Sequence, residues 1–186
     1  MRRLAAEVGL EVMSLYHYFP SKAAVLDGVA DLLLADIRVR RTATNWEDAL
    51  REVAHALRRV GRSHPRAFPL LASLGLDSPA GRRATEAVVR ALAAAGVDPL
   101  AAYIAFLTIR SYVMGHMLWV INRVPGQPAR PAPGLAFGEA EFPYLDALAP
   151  AIGRLRGGAA FERGLDLVLI GIRAGLAGQQ LRDLGG

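Results

Sequence analysis

Hydrophobic and polar positions along the chain recur at three and four residues almost throughout, and the alternation that marks a strand appears nowhere with conviction. Residues 2–8 predict a first helix with Leu4, Ala5 and Val8 on one side, ended by Gly9, which tolerates the left-handed conformation. A second short helix runs from about Val12 to Tyr18 and is crowded with Ser14, Tyr16, His17 and Tyr18. Ser21 then caps a third helix through "KAAVLDGVADLLLADIRVR", with Val25, Leu26, Val29, Leu32 and Leu33 at amphipathic spacing. Asn45 caps "WEDALREVAHALRRVGRS", where Glu47 and Asp48 complement the positive end of the helix. Pro65 opens a short segment interrupted by Pro69, and Ser78 and Pro79 start a helix that Gly96 ends. Asp98 and Pro99 begin the longest helix, to about Arg123, followed by a loop over 124–138 with four prolines and three glycines. A short helix containing or broken by Pro143 follows, and "AAFERGLDLVLIGIRAGLAGQQLRD" makes the last one. The expected fold is all-α, with a small head over 1–41 and a larger helical domain over 42–186.

Composition narrows the chemistry. A chain of 186 residues, 53% hydrophobic, builds a helical core without difficulty, and its lack of cysteine excludes disulfides, zinc ribbons, iron–sulfur clusters and thiol nucleophiles. The two most apolar stretches carry Arg110, His116 and Arg173, charges that hydrocarbon would penalise. Buried or interfacial helices of a soluble, cytoplasmic protein are therefore expected, with no membrane partner and no signal peptide at the start. The net charge of +5 invites a nucleic-acid reading, yet residues 1–22 hold Arg2, Arg3 and Lys22 against Glu7 and Glu11, so charge alone decides nothing. No Gly-rich phosphate loop, G-x-S-x-G or H-E-x-x-H occurs, and the histidines at 17, 55, 64 and 116 have no metal-ligand spacing. No enzyme, metal or cofactor is expected, and His55 needs no role beyond packing.

The first two helices have the parts of a helix-turn-helix. Such a motif needs an apolar face, a small residue at the crossing, a glycine at the turn and apolar anchors for the second helix. Leu4, Ala5, Val8, Gly9, Leu10 and Leu15 supply these in order, with Leu10 and Leu15 as the anchors. Val12, Met13, Ser14, Tyr16 and His17 are left to face outward, where hydroxyls and imidazole bond phosphates or base edges and Met13 meets a thymine methyl. Lys22 and the amides opening the next helix suit a phosphate.

The run "LAAEVGLEVMSLYHYFPSKAAVLDGVADLLL" resembles the DNA-binding region of the TetR family of bacterial transcriptional repressors, and "SLYHYFPSK" matches its pattern position by position. The length, the helical pattern and "FERGLDLVLIGIRAGL" resemble the ligand-binding domain of the tetracycline-repressor-like branch. The resemblance implies DNA contacts from Ser14, Tyr16 and His17 with Met13 near the bases, phosphate contacts from Tyr16 and Lys22, and Tyr18 and Phe19 seating the second helix on the third. Family members carry one further helix ahead of this motif, which implies that the apolar faces of residues 4–34 lack one wall.

The resemblance also implies a homodimer on a palindromic double-stranded operator, released by a small-molecule effector. The long helix mixes large apolar and isolated polar groups, Phe106, Arg110, Tyr112, Met114, His116, Met117, Trp119 and Asn122, as a mostly apolar cavity requires. His64, Phe68 and Leu71, at the family's hinge, are further ligand candidates. In the tetracycline branch a histidine helps hold a magnesium–drug complex, but residues 99–138 are nearly devoid of Asp and Glu, and no metal site is expected around His116. In the last helix Gly164, Gly171, Gly175 and Gly178 permit close helix approach, and Leu165, Val168, Leu169, Ile172 and Leu176 supply apolar contact. The resemblance implies that this helix and the long one make a four-helix dimer contact; the alternative is intramolecular core. The competing function is a helical interaction module or a ligand sensor that does not bind DNA, whose DNA binding vanishes at modest salt.

Overall fold

The computed structural model describes residues 1–35, 37, 45–73, 78–121, 142–154 and 158–183, and every regular element among them is a helix. In chain order these are α1 (Arg2–Glu7), α2 (Val12–Tyr18), α3 (Lys22–Leu34), α4 (Trp46–Ser63), α5 (Phe68–Ser73), α6 (Pro79–Ala94), α7 (Pro99–Ile121), α8 (Pro143–Arg154) and α9 (Ala159–Asp183). The expected loop over 124–138, Asn122 and the boundary at 41/42 lie outside the described residues.

The helix starts follow from single side chains. Ser21 accepts a hydrogen bond from the Ala24 amide at 3.0 Å, Asn45 from Asp48 at 2.9 Å and Ser78 from Gly81 at 3.0 Å. Asp98 accepts from the Ala101 amide at 3.0 Å and opens α7. Each bond satisfies one of the amides that a helix N-terminus leaves without a backbone partner. Pro143 sits at the first position of α8, where its missing N–H costs nothing, and Pro150 lies within that helix. Gly9 and Gly96 adopt φ of 69° and 86°, which turns the chain after α1 and α6.

The chain divides into two compact units, Met1–Phe106 and Leu107–Gly186. In the first, α3 packs on α4, α5 and α6, and α4 packs on α6. This packing carries the unit well past residue 41, because the helix that leaves the head is also part of the next layer. The amphipathic face of α4 buries Ala49, Leu50, Val53, Ala54, Ala56, Leu57 and Val60. Phe68, Leu71, Val88 and Leu92 complete this core. An ion pair between Arg83 and Asp31 ties α6 to α3 at the surface.

In the second unit α7 and α9 meet through the aromatic side chains of Tyr112, His116 and Phe161. By length and composition α7 could cross a bilayer. One side of it is used in packing, since Ala101, Ala102, Ala105, Phe106, Ile109, Val113, Met114 and Met117 are all buried, while Leu100, Ile104 and Trp119 are exposed.

Candidate nucleic-acid interface and ligand region

The head is built around two small contacts. Ala5 on α1 and Leu15 on α2 are buried, and the amides of Gly9 and Leu10 bond back to the carbonyls of Ala6 and Ala5. Gly9 therefore closes α1 and launches α2 within a few residues. Leu15 alone of the two expected anchors holds α2, because Leu10 is 46% exposed. Leu4 and Val8 are exposed as well, so Ala5 is the one residue of the expected α1 face that is buried.

With Leu15 turned inward, Met13, Ser14, Tyr16 and His17 stand on the surface of α2, and Lys22 stands on the surface at the start of α3. Met13 is 77% exposed. Phe19 behaves as expected, its ring lying against Gly28 of α3, where an added methyl would meet it at 3.5 Å. Tyr18 does not. It is 72% exposed, with its ring edge-on to His17 at 5.7 Å, so the structure moves it from the packing set to the outward row. Helical spacing gave no signal for this: Tyr18 lies three residues, about 60°, from the inward Leu15, and its exposure follows from its place at the last position of a short helix.

The ligand candidates fall in both units. In the first, His64 follows α4 and lines a cavity of about 180 Å³ with Leu32, Leu33, Ala56, Arg59, Val60 and Ser63. Phe68 and Leu71 are buried, as is Phe106. In the second, Met114 and Met117 are buried, Arg110 and His116 are partly buried and Trp119 is exposed. Burial holds the Arg110 guanidinium below the usual arginine value, since desolvation penalises its charged form.

The aromatic side chains make the most ordered part of this region. His116 lies edge-on to Phe161 at 5.1 Å and within 6.4 Å of Trp119, and Tyr112 lies 6.2 Å from His116 and 5.5 Å from Phe161. Tyr112, His116 and Trp119 share one face of α7 by their spacing of four and three. The Tyr112 hydroxyl donates to the Phe161 carbonyl at 2.7 Å. Sequence reasoning named Tyr112 but missed Phe161, whose only signal was a lone aromatic group near the start of an otherwise aliphatic helix.

On α9 the expected interface residues point in more than one direction. Leu165 is wholly buried within the protomer, which removes it from any surface a partner could reach. Val168 and Ile172 are partly buried, and Gly164 is taken up by Tyr112. Gly171 and Gly175 are exposed, as are Leu167 and Ile170, which the sequence reading did not select. Among the described residues no group of three or more histidine or acidic side chains is placed to hold a metal ion.

Comparison with known proteins agrees with this architecture. A family model for the tetracyclin repressor-like C-terminal domain matches residues 41–176, and one for bacterial regulatory proteins of the tetR family matches residues 1–29. The chain is 30% identical over 179 residues to an HTH-type transcriptional regulator of Saccharopolyspora erythraea, covering 94% of this chain and 75% of that protein. It is 31% identical over 123 residues to the HTH-type transcriptional repressor DrrR1 of Streptomyces coeruleorubidus, covering 62% and 43% respectively. The crystal structure of the TetR family protein ActR of Streptomyces coelicolor in complex with actinorhodin is similar at a TM-score of 0.77 and 26% identity, over 95% of this chain and 87% of that one. With an all-helical fold, a helix-turn-helix in α1 and α2 and a match across the remaining domain, the chain belongs to the TetR family of transcriptional regulators.

Proposed function

We propose that this regulator is a cytoplasmic repressor that reads a palindromic operator as a homodimer and lets go when a small apolar or amphipathic molecule enters its larger domain. The observation that carries the DNA reading is the division of α2, with Leu15 buried and Met13, Ser14, Tyr16 and His17 outward beside Lys22. Hydroxyl, imidazole and ammonium groups on one exposed row suit phosphate oxygens and base edges, and Met13 suits a thymine methyl. A single short helix reads few base pairs. Two copies, one helical turn of DNA apart, make an operator of useful length.

Dimerisation is supported by the apolar surface that α9 leaves uncovered, with Leu167 and Ile170 exposed on it. The effector reading rests on the α7 face of Tyr112, His116 and Trp119 with Phe161 beside it, which suits a flat, largely apolar molecule carrying a few polar atoms. Similarity to a repressor and to a regulator crystallised with a small molecule favours repression and release. In this reading residues 1–41 form the reading head, and 42–186 sense the ligand and pair the protomers.

The test is binding to the DNA flanking the protein's own gene, compared with random duplex across a salt series. Non-specific binding through about six to ten phosphates falls roughly 10³–10⁵-fold between 50 and 200 mM salt, so a discrete site that persists there supports the reading. Equal affinity for a pool of genomic fragments and for random duplex would refute it.

A further inference from the structure

We infer that Tyr112 is the side chain through which occupancy of the α7 site reaches α9. The proposal rests on the ligand and homodimer readings above and adds how the site is coupled to the rest of the molecule.

Tyr112 grips the start of α9 in two ways. Its hydroxyl bonds to the Phe161 carbonyl at 2.7 Å in the first turn of that helix. Its ring and oxygen also fill the space over Gly164, where a Cβ would lie 2.3 Å from the hydroxyl oxygen and 3.0 Å from two ring carbons. No residue but glycine fits there without expelling the tyrosine, since real Cβ contacts do not approach 2.3 Å. Gly164 thus serves the protomer's own packing, and one side chain sets how closely α9 approaches α7 at this point.

The same tyrosine belongs to the face proposed to meet the effector. It lies one turn from His116, and both rings touch Phe161, which is fully buried. A ligand with a carbonyl, carboxylate or phenolate oxygen competes for the Tyr112 hydroxyl against the Phe161 carbonyl. If it wins, the hydroxyl leaves its bond and the ring leaves Gly164, so the first turns of α9 lose their fixed distance from α7. The side of α9 away from the buried Leu165 and Leu169 carries Leu167, Ile170 and Gly171 at the surface, with Gly171 two turns on from Gly164 along nearly the same line, and this is the face proposed to meet the second protomer. A displacement of about 1–2 Å there is the scale on which helix shifts at subunit interfaces switch assemblies. The device needs a ligand that binds the released and seated tyrosine with different affinity, as every population shift does.

Two substitutions separate the route from mere packing. Tyr112→Phe keeps the ring and removes the hydroxyl, whereas Gly164→Ala displaces the hydroxyl from the α9 side and substitutes no residue of α7. The chain has no cysteine, so Glu7→Cys on the exposed side of α1 gives one nitroxide per head, and double electron–electron resonance reads the distance between heads in the dimer. The probe is actinorhodin, the compound bound in the similar ActR structure. Binding is followed by tryptophan fluorescence, and circular dichroism identifies any variant that fails to fold.

Gly164→Ala without probe is expected to shift the inter-head distance by about 2 Å or more toward the value of the probe-bound unsubstituted protein. Tyr112→Phe, saturated with probe at whatever concentration its fluorescence titration requires, is expected to show no further shift on binding. A folded Gly164→Ala dimer with the unsubstituted distance overturns the inference, as does a Tyr112→Phe protein that responds normally. If actinorhodin fails to bind the unsubstituted chain, the effector reading fails for this probe, and the probe-free Gly164→Ala arm still decides the inference. A chain monomeric at every concentration overturns both.

Discussion

Replacing Gly171 by alanine should strengthen the protomer and weaken the pair. Gly171 and Gly175 lie inside α9, are exposed, and have nothing within 4 Å of where a Cβ would stand. Glycine inside a helix costs about 0.5–1 kcal/mol relative to alanine, so the two together forgo about 1–2 kcal/mol with no return inside the protomer. The return is available across an interface. Leu167 and Ile170 are 71% and 56% exposed, and covering them in both protomers contributes on the order of 4–7 kcal/mol at about 1.5–3 kcal/mol per fully buried side chain. Alanine at 171 places a methyl in the closest part of that contact twice, once from each protomer. Overpacking of about 1 kcal/mol per site or more gives at least about 2 kcal/mol, near a thirtyfold rise in the dimer Kd. Sedimentation equilibrium gives that constant directly, and thermal melts over a hundredfold range of concentration show whether stability follows it. A Gly171→Ala protein whose Tm rises equally at every concentration, with an unchanged dimer constant, would show that this face meets water and would remove α9 from the interface.

Three further substitutions address the head and its connections. Tyr16→Ala should lower affinity for all DNA sequences alike with the salt slope unchanged, since a neutral hydroxyl neutralises no phosphate, whereas substitutions at Met13 or Ser14 should chiefly change which bases are preferred, as a selection from random oligonucleotides would record. An unchanged affinity in Tyr16→Ala would contradict the outward docking of α2. Asn45→Ala removes the acceptor of the Asp48 amide and should cost about 1 kcal/mol by urea unfolding, with Asn45→Ser near neutral. Loss of both to the same degree would mean that the cap is not the reason. Gly9→Ala meets no atom within 4 Å, so its cost is the left-handed backbone alone, about 1 kcal/mol after the gain from a stiffer unfolded chain. Gly9→Asn should cost less, and a stabilised Gly9→Ala protein would rule out the positive φ.

Legibility of this chain from its sequence depended on whether one residue could decide a structural question locally. Ser21, Asn45 and Ser78 each fix a helix start through one bond to an amide three residues on, so their elements were readable without knowledge of the fold. Gly9 and Gly96 end helices for an equally local reason. The recognition helix was readable because Leu15 is flanked by polar groups, which leaves one inward direction. The head still misled at Leu10, Val8 and Tyr18. Val8 and Tyr18 each stand three residues from a buried residue, Ala5 and Leu15, so periodicity put them inward, and Leu10 lies in the turn between α1 and α2, where no period applies; all three are exposed because they sit at or beyond the ends of short helices.

The larger domain resisted for a related physical reason. A helix apolar on all sides carries no stripe that says which side faces inward, and α7 is of this kind; on α9 Glu162, Asp166 and Arg173 mark one polar line but leave apolar residues over the rest of the circumference. On α9 the sequence offers Leu165 and Leu169 in one direction and Leu167 and Ile170 in others, at nearly equal hydrophobic cost. The choice is made by a contact distant in sequence, the Tyr112 hydroxyl over Gly164, which can be satisfied in only one rotation of the helix. Once that rotation is fixed, Leu165 and Leu169 are buried and Leu167 and Ile170 are left at the surface. A glycine expected to admit a second protomer thus admits a tyrosine of the same protomer. Gly171, two turns further on, keeps the open space that a partner helix would need.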